Sequence, residues 1–126
     1  MLKQLTIAFL SFLFCTSAFA SQQFVCNTSK HTAIVNLLPS GEYRYMAWNK
    51  PRSITKEPDM VVFAGVETVE GTGPCRHTVW TFNNGKVQYS VSTLGCTEDK
   101  PLQNANGQLS VYINGEHKKS WWCVQQ

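Results

Sequence analysis

The chain has 126 residues, a formal net charge of +3 and a hydrophobic content of 43%. This length excludes a multidomain enzyme. No apolar run after residue 20 approaches the roughly 18–20 residues of a membrane-spanning helix, so no transmembrane segment is predicted. Binding to nucleic acid requires clustered Lys and Arg, and the net charge of this chain is weak, so no nucleic-acid partner is predicted either.

Residues 1–20 have the pattern of a cleaved secretory signal peptide. Lys3 precedes an apolar run, and Ala18 and Ala20 place small residues at the two positions that determine cleavage. Cleavage leaves residues 21–126 as one domain of net charge +2, because losing Lys3 reduces 11 basic residues to 10 against 8 acidic ones. The alternative is a lipoprotein anchored at Cys15, where a small residue should precede the cysteine and Phe14 stands instead. A periplasmic or secreted protein is therefore expected.

Short runs of alternating apolar and polar residues recur between Gly, Pro and Asn turns, and no window shows sustained helical periodicity. The predicted strands cover residues 23–26, 31–38, 42–48, 60–69, 75–82, 87–94, 108–113 and 117–124. Hairpin turns are predicted at 38–42, 83–86 and 114–115. The segment 31–48 is apolar on both faces, which predicts that a lid or a partner packs on the outside of the sheet.

The hairpin over 75–94 allows a register to be predicted. With a two-residue loop at Asn84-Gly85, facing residue numbers sum to 169, so Trp80 faces Tyr89. The Trp80 face is then apolar core, and the opposite face is mostly polar. The register of the last hairpin, across Asn114-Gly115, stays open.

Four cysteines follow residue 20, and an even number in a short exported chain predicts two disulfides. Three pairings are open. The hairpin register brings Cys75 diagonal to Cys96, so that bridge is reachable if the strand end bends. Cys26 and Cys123 then join the first strand to the last. The sequence therefore predicts an all-β fold, a small antiparallel barrel or sandwich of about eight strands with two disulfides, filled by its own side chains.

No catalytic set, metal site or cofactor is predicted. The sequence has no GxSxG nucleophile elbow, and disulfide-bonded cysteines cannot act as thiolates. Glu67 and Glu70 are three residues apart and therefore point to opposite faces of a strand. The three histidines fall on three different hairpins: His31, His77 and His117. A non-enzymatic protein is expected.

Two loops, 49–59 and 97–107, are the candidate binding segments, because loops on a braced scaffold commonly carry function. Trp48, Lys50 and Arg52 are the predicted contacts with a protein partner. Trp121 and Trp122 are neighbours on one strand and point to opposite faces. One should lie in the core, and the other is either covered by a loop or exposed as a glycan-stacking platform.

The block GxGxCxHxxWxFxNG, over residues 71–85, resembles a block in small uncharacterised periplasmic proteins of Gram-negative bacteria. This resemblance implies compartment and fold and carries no function. The overall plan also resembles that of periplasmic inhibitors of c-type lysozyme, which are exported, eight-stranded and disulfide-bridged. Ser40-Gly41-Glu42-Tyr43 only partly matches their SGxxY loop, and their Trp-x-Lys-Gly loop is missing from this sequence.

These features favour an exported binding protein. The most concrete hypothesis is an inhibitor of, or an immunity protein against, a periplasmic cell-wall hydrolase or toxin. The alternative is an envelope protein that associates with the cell wall or a glycan through an exposed Trp.

Overall fold

The computed structural model describes residues 19–125 and shows a closed antiparallel barrel of eight strands in chain order. The predicted signal peptide lies outside the described residues except for its last two positions. The all-β prediction is confirmed, and a single short 3₁₀ turn at Gly73–Cys75 is the helical segment of the described chain. The strands are β1 Ser21–Asn27, β2 His31–Leu37, β3 Tyr43–Asn49, β4 Met60–Glu70, β5 His77–Asn84, β6 Val87–Thr93, β7 Ala105–Ile113 and β8 Glu116–Val124.

The barrel closes through a narrow seam between β1 and β8. Among the residues that the structure describes, the ladder there is the single pair Asn27 with Val124, which joins the end of β1 to the end of β8. The buried bridge Cys26–Cys123, with its Cα atoms 4.7 Å apart, crosses the same seam. This stagger brings the β1–β2 turn beside the later part of β8, and a covalent link supplements the short ladder.

The β5–β6 hairpin differs from the predicted register by two residues. Trp80 faces Val91 and Phe82 faces Tyr89, so facing numbers sum to 171 and the turn residues are Gly85 and Lys86. Gly85 has a φ of +62° at the first turn position, as in a type II′ turn. Because a shift by two preserves the faces of a strand, Trp80 and Phe82 still lie in the core.

The corrected register explains the second disulfide. Cys75 and Cys96 also sum to 171, and their Cα atoms lie 4.8 Å apart in the bridge. Both predicted pairings are therefore present. Two disulfides in a small domain are typical of an oxidising compartment.

The last hairpin contains a β-bulge. Tyr112 faces His117, while Val111 faces Lys119, so β8 carries one more residue than β7 at this point. The turn itself has a positive φ at both Asn114 and Gly115, as an Asn-Gly turn of type I′ requires. No single register assigns the apolar and polar residues of this hairpin to separate faces, because the bulge changes the register within the hairpin.

Side chains from all parts of the sheet fill the barrel interior. The buried cluster is Cys26, Ala33, Val35, Tyr45, Ala47, Val62, Trp80, Phe82, Val91, Leu109 and Cys123. Close packing extends to Gly65, where a Cβ atom would overlap the ring of Phe82. No helix within residues 19–125 is long and apolar enough to cross a membrane.

The outer face of β2 and β3 is also covered. Ile34 and Trp48 alternate with inward-facing residues, yet they are only 8% and 3% exposed. The covering element is the chain's own loop between β3 and β4, residues 50–59. The predicted lid on this face is thus part of the protein.

Candidate binding surface at the loop end and the seam

The loop of residues 50–59, here called the braced loop, is held firmly at its stem. The backbone N–H of Asp59 donates to the carbonyl of Ala47 at 2.9 Å. The Asp59 carboxylate in turn accepts the backbone N–H of Asn49 at 2.7 Å. These two bonds join the end of β3 to the start of β4, so the stem behaves as a continuation of the sheet.

Two hydrogen bonds fix the outer part of the braced loop. The indole N–H of Trp48 donates to the carbonyl of Lys56 at 2.8 Å from beneath. The Arg52 Nε–H donates to the carbonyl of Glu57 at 2.7 Å and closes the loop across its width. Every residue from 50 to 57 is nevertheless exposed. The braced loop is therefore both ordered and accessible to a partner.

This geometry corrects the predicted role of Trp48. Its side chain is buried under the braced loop and does not face a partner. Lys50 and Arg52 are exposed, as partner contacts must be. The Lys50 ammonium donates to the carbonyl of Thr28 at 2.6 Å, which ties the braced loop to the β1–β2 turn.

A groove of about 650 Å³ runs between the braced loop and the outer face of β1 and β2. Its apolar part includes Val25, Ile34 and Ile54, and its polar part includes Asn27 and Arg52. Ile54 is 55% exposed. Arginine is enriched at protein interfaces, and the buried centre of an interface is more apolar than its rim, so Arg52 beside Ile54 suits a protein contact.

A second groove, here called the seam groove, has a volume of about 470 Å³ and lies along the closure of the barrel. Its lining includes Lys50 from one predicted binding loop and Leu102 from the other. The second loop is shorter than predicted, because β7 already begins at Ala105. The stagger of the seam thus brings both predicted loops to one groove.

The two adjacent tryptophans also meet the seam groove. Trp121 packs against the core, and the ring of His31 stands edge-on to it with the centroids 4.9 Å apart. Trp122 pairs with Gln108 on the outer face and stays half-buried. Both indoles line the groove, together with the hydroxyl-bearing residues Thr28, Ser29 and Ser120.

The carboxylates considered for catalysis are separated as predicted. Glu67 faces Trp80 and accepts its indole N–H at 2.9 Å, on the interior side of the sheet. The pKa of the Tyr43 hydroxyl is raised, mainly by its hydrogen bond to Glu67 and to a smaller extent by desolvation. Glu70 faces His77 on the outer side, with 3.8 Å between the carboxylate and Nε2. Across residues 19–125, no three or more His, Cys, Asp or Glu side chains are grouped to hold a metal ion.

Two residues of the candidate surface escaped the sequence prediction. Ile54 and Leu102 are exposed apolar residues within otherwise polar loops. Ile54 lies three residues after Pro51, and Leu102 directly follows Pro101. The sequence signal for these two residues is an apolar side chain within a polar loop that contains a proline. Here it marks the exposed surface better than the aromatic side chain of Trp48 does.

The candidate surface therefore combines the braced loop, the groove beside it and the seam groove. Comparison of the chain with family models, with curated proteins and with solved structures gave no match.

Proposed function

We propose that the chain is an exported binding protein that inhibits, or gives immunity against, a periplasmic cell-wall hydrolase or toxin. The observation that carries this proposal is the braced loop, whose backbone is fixed while its tip stays exposed. A loop that is already ordered loses little conformational entropy on binding. Such a loop suits insertion into the cleft of a target enzyme.

Arg52 and Ile54 are the central contacts in this proposal. The Nε of Arg52 is used to hold the loop, while its side chain remains exposed and lines the groove beside Ile54. Arginine can bind a carboxylate in the target through two parallel hydrogen bonds. Ile54 adds apolar area that becomes buried in the interface.

The test is affinity capture from an envelope extract, followed by a binding titration with the captured hydrolase. Arg52→Ala and Ile54→Ala should each weaken binding by about ten-fold or more, the usual effect of truncating a central contact. Lys86→Ala and Val66→Ala are matched controls, because both residues are exposed and lie outside the candidate surface. A target that binds all four variants equally would contradict the proposal.

A second candidate function is glycan binding through Trp122. It is favoured by the half-buried indole that lines the seam groove beside the exposed residues Ser29 and Lys50. An indole face beside a hydroxyl and an ammonium group suits a sugar ring, which has an apolar face and polar edges. Retention on insoluble peptidoglycan that is lost in Trp122→Ala and kept in Arg52→Ala would support this function over the first.

A further inference from the structure

A small cavity of about 90 Å³, here called the mouth pocket, opens inside the barrel at the end that carries the braced loop. Its deeper lining is apolar, and Tyr45, Ala47 and Leu109 are all buried there. The rings of Tyr45 and Tyr89 stack with their centroids 5.2 Å apart and form one wall. Val111, Met60 and Trp121 add further apolar surface to the lining.

The rim of the mouth pocket is polar. His31, Asn49 and Asp59 line it and are more exposed than the floor. The Nδ1 of His31 lies 3.0 Å from Oδ1 of Asn49, so the Nδ1–H of the histidine donates to that oxygen. The Asn49 side-chain amide then remains as a donor, and Asp59 keeps a carboxylate oxygen besides the one that binds the Asn49 backbone. The rim thus offers both donors and acceptors.

The volume limits what the mouth pocket can hold. It corresponds to about three water molecules at roughly 30 Å³ each, and it is smaller than the roughly 150 Å³ cavity that accepts benzene. An aromatic ring is therefore excluded, while a methyl group with an attached amide fits. A purely aliphatic group would leave the polar rim unpaired, which disfavours binding.

We infer that the mouth pocket binds the acetamido group of an N-acetylhexosamine. The methyl enters between Leu109 and Val111, the amide N–H donates to Asp59, and the amide carbonyl accepts from Asn49. Each polar atom of the group meets a complementary atom of the rim, as specific recognition of an amide requires.

Trp121 connects this pocket to the seam groove, since its side chain lines both. The ammonium of Lys119 lies 5.2 Å from the centre of the Trp121 ring and places a further donor beside this indole. Sugar hydroxyl groups next to the acetamido substituent can accept from that donor. The inference goes beyond the proposed inhibitor function and does not depend on it.

The test is an NMR titration of the folded chain with N-acetylglucosamine, with glucose as the matched control sugar. Saturable shifts are expected for Trp121, Leu109 and Asn49, with a dissociation constant on the order of 1 mM. Glucose should bind at least about ten-fold more weakly, because it lacks the methyl and amide contacts. A nuclear Overhauser effect between the acetyl methyl and Val111 would place the group directly.

Two variants fill the pocket, Val111→Phe and Ala47→Val, and both should abolish the shifts. Val66→Phe makes the same change on an exposed position of β4 and should leave them intact. Ala47→Val keeps the test decisive if Val111→Phe does not fold.

The inference is wrong if N-acetylglucosamine gives no saturable shift or if glucose binds equally well. It is also wrong if tert-butanol binds more tightly, because that result indicates a socket for an aliphatic side chain. None of these results bears on Arg52 or Ile54, so the inhibitor proposal is tested separately.

Discussion

Removing the end-to-end disulfide should destabilise the fold more than removing the other disulfide. Cys26–Cys123 closes a loop with a sequence separation of 97, whereas Cys75–Cys96 closes one of 21. The chain-entropy relation gives a stabilisation of about 4.7 kcal/mol for the first and about 3.3 kcal/mol for the second. The end-to-end bridge should therefore contribute about 1.4 kcal/mol more.

The structure adds to this difference. Cys26 and Cys123 are fully buried beside a seam with one ladder pair, so losing the bridge also weakens the closure of the barrel. Cys96 is exposed, so solvent already reaches the other bridge. Each cysteine pair is replaced with alanine and not with serine, because serine would place an unpaired hydroxyl in the core.

The assay is equilibrium urea unfolding of the two double variants and the parent chain. A loss near 5 kcal/mol approaches the total stability of a domain of this size, so the series is run with a stabilising osmolyte. The C26A/C123A variant should have the lower midpoint. If C75A/C96A is the less stable variant, the reasoning that the seam bridge closes the barrel is wrong.

Three further substitutions test particular contacts. Trp48→Phe removes the hydrogen bond to Lys56 and part of the buried ring, so it should cost about 1–3 kcal/mol and speed amide exchange in the braced loop. Tyr45→Phe should reduce the loss of stability above pH 10. Burial raises the pKa of the Tyr45 phenol, so the folded state keeps a proton that the unfolded chain releases. The free energy of unfolding therefore falls by up to about 1.4 kcal/mol per pH unit as the pH rises above the unfolded value of about 10. Gly65→Ala places a methyl group against the buried ring of Phe82 and should cost about 1–3 kcal/mol in urea unfolding.

Each of these substitutions has a result that contradicts its reasoning. Unchanged amide exchange in Trp48→Phe would show that the indole does not hold the loop. If the free energy of unfolding falls equally steeply above pH 10 in the parent and in Tyr45→Phe, the Tyr45 phenol ionises as easily in the folded state as in the unfolded chain. An unchanged urea midpoint in Gly65→Ala would show that the ring of Phe82 has room to move.

Alternation, turn residues and the cysteine count predicted about eight strands, a small antiparallel barrel or sandwich, and two disulfides, and the structure has the barrel and both bridges. They did not settle register, because Asn84-Gly85 and Gly85-Lys86 are both acceptable two-residue turns, and a shift by two leaves the same side chains in the core. The bulge in β8 was also hidden. An inserted residue changes the facing of Lys119 without leaving a distinct pattern in the sequence.

The candidate surface was predictable only in part. Arg52 and Lys50 were identified from their loop, and both are exposed. Trp48 was assigned to the surface because periodicity does not show when a loop folds back over a strand. The meeting of Lys50 and Leu102 in the seam groove depends on the stagger of β1 against β8, a tertiary property that no local pattern encodes.

The central claim is that the braced loop and the adjoining grooves form the contact surface for a protein target. Hydrogen–deuterium exchange of the chain, alone and in complex with its captured target, tests this most directly. We expect added protection in residues 50–59 and along the seam groove, with β4 to β6 unchanged. Protection confined to the outer face of β4 to β6, with the braced loop exchanging as before, would contradict it.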